Sequence, residues 1–247
     1  MATGADKLKG KEKKSPVKRE RGHVHEQVLQ YMRRGLMVGA FLPGQVMSLR
    51  KVAASLGTSP MPVREVMSRL VAANALEETE SGSVKVPRLS IEKLSDLFAV
   101  RELLEGSAAE LAVKNANAAL ISELSAVNKA LIQAINKRNI LDCLSLNQKF
   151  HFDLYAASKS EVLLPLIESL WLQCGPTMYM SLLVPSMPWD ASAHRVILQE
   201  LKASNAGGVK RAIITDIRNT KQALITVKST HGAELLFANN PLFEFSN

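Results

Sequence analysis

Apolar residues recur at every fourth position through Val24, Val28, Met32 and Leu36, a spacing that lines one face of a helix. Gly39 and the Pro43-Gly44 pair stop it. Ser48 is placed to cap a short second helix in which Leu49, Val52, Ala53 and Leu56 share a side, and Gly57 ends it. Ser59 is placed to cap a third helix that begins at Pro60, tolerates Pro62 in its first turn, and buries Val63, Val66, Met67, Leu70 and Val71. After Asn74 the period shortens to two. Leu76, a polar run through Ser81-Gly82-Ser83, then Val84 and Val86 predict a hairpin with a glycine at its tip. Two short helices joined by a tight turn and followed by a hairpin make a winged helix-turn-helix over 23–88, whose second short helix is shaped for a DNA major groove.

Pro87 to Ser90 reads as a linker, and Ile91 to about Lys114 as one long helix with Leu94, Leu97, Phe98, Arg101, Leu104 and Leu111 near one side. Amphipathic segments follow near 118–136, 140–157, 161–183, 190–204 and 208–228, parted by Asn, Ser, Gly and Pro. The expected fold class is therefore mainly α, an N-terminal winged helix-turn-helix plus a C-terminal all-helical bundle of about six helices over 89–230. The tail 231–247 carries Leu235, Leu236, Phe237, Leu242, Phe243 and Phe245 without a clean period. No internal repeat, phosphate-cradling glycine loop or paired-cysteine zinc pattern stands out.

Composition supports this picture and corrects one inference from it. The 247 residues are 47% hydrophobic but only 5% aromatic, which favours packed helices over sheets. The net charge of +8 invites a nucleic-acid reading. Yet residues 1–22 hold eight Lys and Arg against three acidic residues, so most of the excess belongs to a basic arm, expected to be disordered and able to touch phosphates. Cys143 and Cys174 sit in apolar helical patterns, as reduced thiols do in a cytoplasmic protein. No secretion signal and no apolar run of bilayer length is apparent, so a cytoplasmic protein without a membrane partner is expected.

The run Gly39-Ala40-Phe41-Leu42-Pro43-Gly44, Leu49-Arg50-Lys51-Val52-Ala53, Leu56-Gly57-Thr58-Ser59 and Pro62-Val63-Arg64-Glu65-Val66 resembles the DNA-binding domain of the GntR family of transcription regulators. Downstream, Val100-Arg101-Glu102-Leu103-Leu104-Glu105 with Ala108, Ala109 and Leu111-Ala112 resembles the opening helix of the FadR-like branch with an FCD-type (VanR-like) effector domain. The resemblance implies a regulator, not an enzyme, that binds a double-stranded operator as a homodimer and answers to a small-molecule effector. It assigns DNA contacts to Arg50, Thr58, Ser59, Met61, Arg64, Gly82 and Lys85. Arg64 suits a bidentate contact to guanine, being an arginine at the leading end of a groove-bound helix. The sequence departs from the family at Pro60, where an arginine is common, and at Met61, where a small polar residue is usual; Met61 could instead touch a thymine methyl.

Many members of this branch hold a divalent metal through an Asp and a His four apart on one helix and two later His. The matching positions here are Asn147, His151, His194 and Thr220. Asn147 and His151 share a helix face, but an amide and a hydroxyl replace a carboxylate and an imidazole. The implied cofactor is at most a divalent metal such as Zn or Ni, on His151, His194 and Asn147. The competing reading is a metal-free polar pocket of Arg101, Asn147, His151, His194 and Thr220, in which Arg101 pairs with a carboxylate effector. Two other function classes are a metal-dependent helical-bundle enzyme, disfavoured because no carboxylate was identified beside the histidines, and a ligand-free, sequence-independent DNA binder.

Overall fold

The structure is a computed structural model that describes residues 16–80, 82–182 and 191–230. The expectations for residues 1–15 of the arm and for the tail 231–247 fall outside the described residues. Helix α1 spans Pro16–Met37, so helix begins inside the stretch expected to be a disordered arm. Lys, Arg and Glu are good helix formers and Pro fits a first helical position, which accounts for the extension. Val28, Met32 and Leu36 are fully buried on its inner face.

Helices α2 (Leu49–Ser55) and α3 (Pro60–Ala72) form the helix-turn-helix. The Ser48 hydroxyl accepts from the Lys51 amide, capping α2. Gly57 takes φ +61° in the turn between the helices, a left-handed conformation that other residues adopt only with strain. Ser59 stands at the N-cap of α3 in extended conformation but makes no capping side-chain bond. A cap accepts from the second or third helical amide, and here the third helical residue is Pro62, which has none.

The expected hairpin is present as β2 (Glu77–Glu78) and β3 (Val84–Lys85), with Gly82 in its turn at φ +75°. It also gains a third strand, β1 (Val46–Met47), giving the antiparallel order β1-β3-β2 with Val46 opposite Lys85 and Glu77 opposite Lys85. Two residues are too few to leave a period in the sequence. The Gly44 amide donates to the Val86 carbonyl and the Val86 amide to that of Gln45, which pins the wing to the base of α2.

The C-terminal half is the expected helical bundle: α4 (Ile91–Ala112), α5 (Ala118–Asn136), α6 (Ile140–Ala156), α7 (Leu163–Ser181), α8 (Ser192–Lys202) and α9 (Ala206–Thr230). Ser90, Asn117 and Asn139 cap α4, α5 and α6 through their side chains. Helix α4 packs along α9, α5 along α6, and α8 along α9. Contrary to the sequence expectation, α5 is long and apolar enough, by length and composition, to cross a bilayer. In the fold its Leu124, Val127, Leu131 and Ala134 are buried, and its axis lies along α6.

The two halves share one hydrophobic core that runs from Val28, Met32 and Leu36 to Trp171 and Cys174. Helices α1 and α7 form the seam. At one point Gly175 of α7 faces the α1 backbone so closely that an added Cβ would collide with the Leu36 carbonyl and lie 2.9 Å from the Met37 Cα. Arg33 of α1 pairs with Glu168 of α7 along the same seam.

Candidate DNA interface and a buried histidine–aspartate site

Helix α3 buries Val63, Val66, Met67 and Leu70 and turns Met61, Arg64, Glu65, Ser68 and Arg69 to solvent. The Val-x-x-Val-Met-x-x-Leu spacing causes this, since those four positions fill one side of the cylinder and leave the other free. Arg64 lies one turn from the helix start. Met61 is 64% exposed, an apolar side chain left in water at the leading end of the helix. Ser59, at the start of α3, and Arg50, at the start of α2, are also exposed, and Thr58 is half-buried. Gly82 is exposed, whereas Lys85 reaches Glu77 across the hairpin at 3.1 Å. That exposed pair is weak, and phosphate can displace Glu77 from it.

The bundle holds the second cluster. His151 on α6, His194 on α8 and Asp216 on α9 offer ligand atoms that all lie within 4.8 Å of one another. The His151 Nε2 stands 3.2 Å from the Asp216 Oδ2 and 3.4 Å from the His194 Nε2. His194 is 2% exposed and stacks flat on Phe150, with ring centroids 3.9 Å apart. Its Nδ1 has no hydrogen-bond partner among the described residues. Burial, then the neighbouring His151, push the His194 imidazole down to about 3, with Asp216 opposing, so the ring is neutral and able to donate a lone pair at neutral pH. Burial pushes the Asp216 carboxyl up, but the hydrogen bond and charge of His151, with His194 and Arg101 behind them, outweigh it and hold the group below the ordinary carboxylate range.

On α9 the structure brings Asp216 to the histidines, one turn before Thr220, the half-buried position that the resemblance matched. Its signal was present: Asp216 interrupts the apolar stripe of Val209, Ala212, Ile213 and Ile217, which are all buried. Asn147 is buried one turn before His151, as expected from their spacing. Asp216 therefore supplies beside the histidines the carboxylate whose absence disfavoured an enzyme in the sequence.

Arg101 also departs from expectation. It is 2% exposed, and its guanidinium already has a carboxylate partner within the chain. Its Nε donates to the Glu105 Oε1 at 2.6 Å and its Nη2 to the Oε2 at 3.3 Å, while Nη1 reaches the Cys174 Sγ at 3.6 Å. The guanidinium packs 4.6 Å from the Phe98 ring centre and 4.7 Å from that of Trp171. Burial lowers its proton affinity, but the Glu105 charge more than restores it and the net is raised. Glu105 carries no assigned role in the sequence reading, although Arg101 and Glu105 stand at i and i+4 on a buried face. The same carboxylate accepts from the Tyr155 hydroxyl at 2.7 Å and from the Trp171 Nε1 at 3.0 Å. Tyr155 in turn meets the His151 Nδ1 at 3.0 Å, which joins this network to the histidine–aspartate cluster.

Comparison with known proteins agrees with both halves. Residues 24–86 match the family described as "Bacterial regulatory proteins, gntR family", and residues 96–219 match the FCD domain. The chain is 29% identical over 190 residues to the HTH-type transcriptional regulator McbR of Escherichia coli (strain K12), across 76% of this chain and 86% of that protein. It is 30% identical over 132 residues to the Nta operon transcriptional regulator of Aminobacter aminovorans, across 53% of this chain and 61% of that one. The solved structure of E. coli McbR/YncC superposes with a TM-score of 0.76 at 27% identity, covering 83% of this chain and 97% of that one. A GntR regulator from Rhodococcus sp. RHA1, 16% identical, shares the fold with a TM-score of 0.67 over 82% of this chain and 97% of its own. The relatives are regulators, and this likeness, in place of the missing-carboxylate argument, is what sets an enzymatic role aside. With a helix-turn-helix that presents α3 to solvent and an FCD bundle behind it, the chain belongs to the GntR family of DNA-binding transcription regulators, in its FadR-like, FCD-containing branch.

Proposed function

We propose that this regulator is a cytoplasmic repressor that binds a palindromic operator as a homodimer and is controlled by a small carboxylate held in the FCD bundle through a divalent cation. The observation that carries this reading is the convergence of His151, His194 and Asp216 within 4.8 Å. Two imidazoles and a carboxylate suit Zn or Ni, and the neutral His194 and ionised Asp216 are the ligand states that binding requires. His151, His194 and Asp216 would hold the ion, with Asn147 on the same face of α6 as His151. When bound, such a cation supplies open positions at which an organic acid can be recognised. Asp216 keeps 21% of its side chain in contact with solvent, which leaves the cluster a way in.

In this proposal α7 connects the bundle to DNA binding. Trp171 and Cys174 touch the Arg101–Glu105 pair, and the next residue, Gly175, abuts Leu36 and Met37 of α1. A shift of α7 that accompanies effector binding would therefore move α1 and, through it, the pose of α3. A symmetric pair of such subunits matches a palindromic site.

Elemental analysis of the purified protein, with mass spectrometry of released small molecules, tests the site. About one Zn or Ni per chain in the native protein, lost in His194→Ala, is the expected result. A full-length protein that takes up neither metal in titration would overturn the metal reading. Selection from genomic fragments tests the DNA reading, where sequence-independent binding would favour a ligand-free DNA binder instead.

A further inference from the structure

We propose that Tyr155 is a positioning residue: held by Glu105, its hydroxyl oxygen accepts the Nδ1 proton of His151 and leaves the His151 Nε2 lone pair aimed at Asp216 and His194, where a divalent cation binds. The inference deepens the metal reading above and rests on it only for that last clause.

The direction of each hydrogen bond follows from a proton count. Glu105 is fully buried and takes donors from three other side chains: Arg101 through Nε and Nη2, Trp171 through Nε1, and Tyr155 through its hydroxyl. A carboxylate paired with a guanidinium has no proton to give, so it accepts all four bonds. Tyr155 has a single hydroxyl proton, and the 2.7 Å contact to the Glu105 Oε2 uses it. The remaining contact of the phenol oxygen, 3.0 Å from the His151 Nδ1, must then be accepted from that nitrogen. If Tyr155 donated to His151 instead, two buried acceptor oxygens would face each other without a proton between them. A neutral imidazole with its proton on Nδ1 has its lone pair on Nε2. That atom lies 3.2 Å from the Asp216 Oδ2 and 3.4 Å from the His194 Nε2. In the metal-free chain this edge of His151 can share a proton with Asp216 or His194, and a divalent cation takes that proton's place when it binds. The wider pattern, in which a ligating histidine gives its other N–H to a fixed acceptor, sets both ring orientation and ligand strength at metal sites.

Tyr155 also lies outside the ligand set, so its effect can be separated from ligation. The probe is histidine labelled with ¹⁵N, read by long-range proton–nitrogen correlation in metal-stripped full-length protein, at a pH where the imidazole is neutral. His151 is assigned from the signal lost in His151→Asn. The expected wild-type result is the Nδ1–H tautomer at His151, moving toward Nε2–H in Tyr155→Phe. A wild-type His151 in the Nε2–H form overturns the proposal, whatever the variant does. Titration with Zn alone then reads the consequence: Tyr155→Phe is expected to weaken affinity about 10- to 100-fold. Unchanged affinity in that variant overturns the proposed role. A wild-type Nδ1–H tautomer in a protein that takes up no metal would uphold the positioning of His151 while removing the metal reading, so the two failures are distinguishable.

Discussion

Gly175 and Leu36 meet backbone to backbone, with no room for a β-carbon between α7 and α1. The contact joins the effector domain to the DNA-binding domain at a point one residue from Cys174, which accepts from the buried Arg101. Gly175→Ala must force the helices apart. We expect a loss of about 1–3 kcal/mol by urea denaturation, the usual cost of overpacking. We also expect a blunted response of DNA affinity to effector. A variant with wild-type stability and wild-type response would show that this seam does not transmit.

Arg64 is exposed on α3 and takes no part in the core. Arg64→Ala should leave the thermal midpoint unchanged while lowering discrimination between specific and non-specific DNA by about 1–3 kcal/mol. Lys85→Ala should instead weaken binding to all sequences alike and reduce the salt slope by roughly one. Competition binding at two salt concentrations separates these outcomes.

Asp216 and Thr220 make opposite expectations for metal uptake. Asp216→Asn removes the only carboxylate of the cluster and should abolish tight Zn or Ni binding in calorimetric titration. Thr220→Val should leave it near the wild-type value. The reverse result would restore the position first read from the sequence.

His194 gives the metal-stripped protein a defined pH dependence. In the native state burial and His151 hold the imidazole down to about 3, whereas the ordinary value is 6.5. Between those values the unfolded chain binds a proton that the native chain does not, so stability falls as pH falls through this window. The slope can approach about 1.4 kcal/mol per pH unit for one such group. Asp216, also shifted down, adds loss in the same direction only below its ordinary value near 3.8. Denaturation of His194→Gln at several pH values should show a flatter profile than the wild type above pH 3.8; identical profiles would contradict the assignment.

The DNA-binding half was legible because its signals are local. Gly57, Pro60 and the spacing of Val63, Val66, Met67 and Leu70 each act within one turn or one helix. Strand β1 was not, since Val46 and Met47 pair with Val84 and Lys85 some forty residues on. The histidines follow from family resemblance; the period of α9 marks Asp216 as a charge on a buried face, but its meeting with them depends on how α9 sits against α4 and α8. The charged residues that sequence reading missed or misassigned, Glu105, Asp216 and the inward Arg101, all lie on apolar helix faces. There, a charge is costly unless it has a partner, and the partners of Asp216 come from other helices.

The proposed function requires occupancy of the His151–His194–Asp216 cluster and occupancy of the operator to be coupled. The direct measurement is affinity for a selected operator fragment with and without metal plus an identified acid, alongside affinity for the acid with and without that fragment. Linkage requires the two shifts to be the same factor, about 5- to 150-fold for typical coupling, and both should vanish in Asp216→Asn. Operator affinity that is indifferent to the bound acid would contradict the claim.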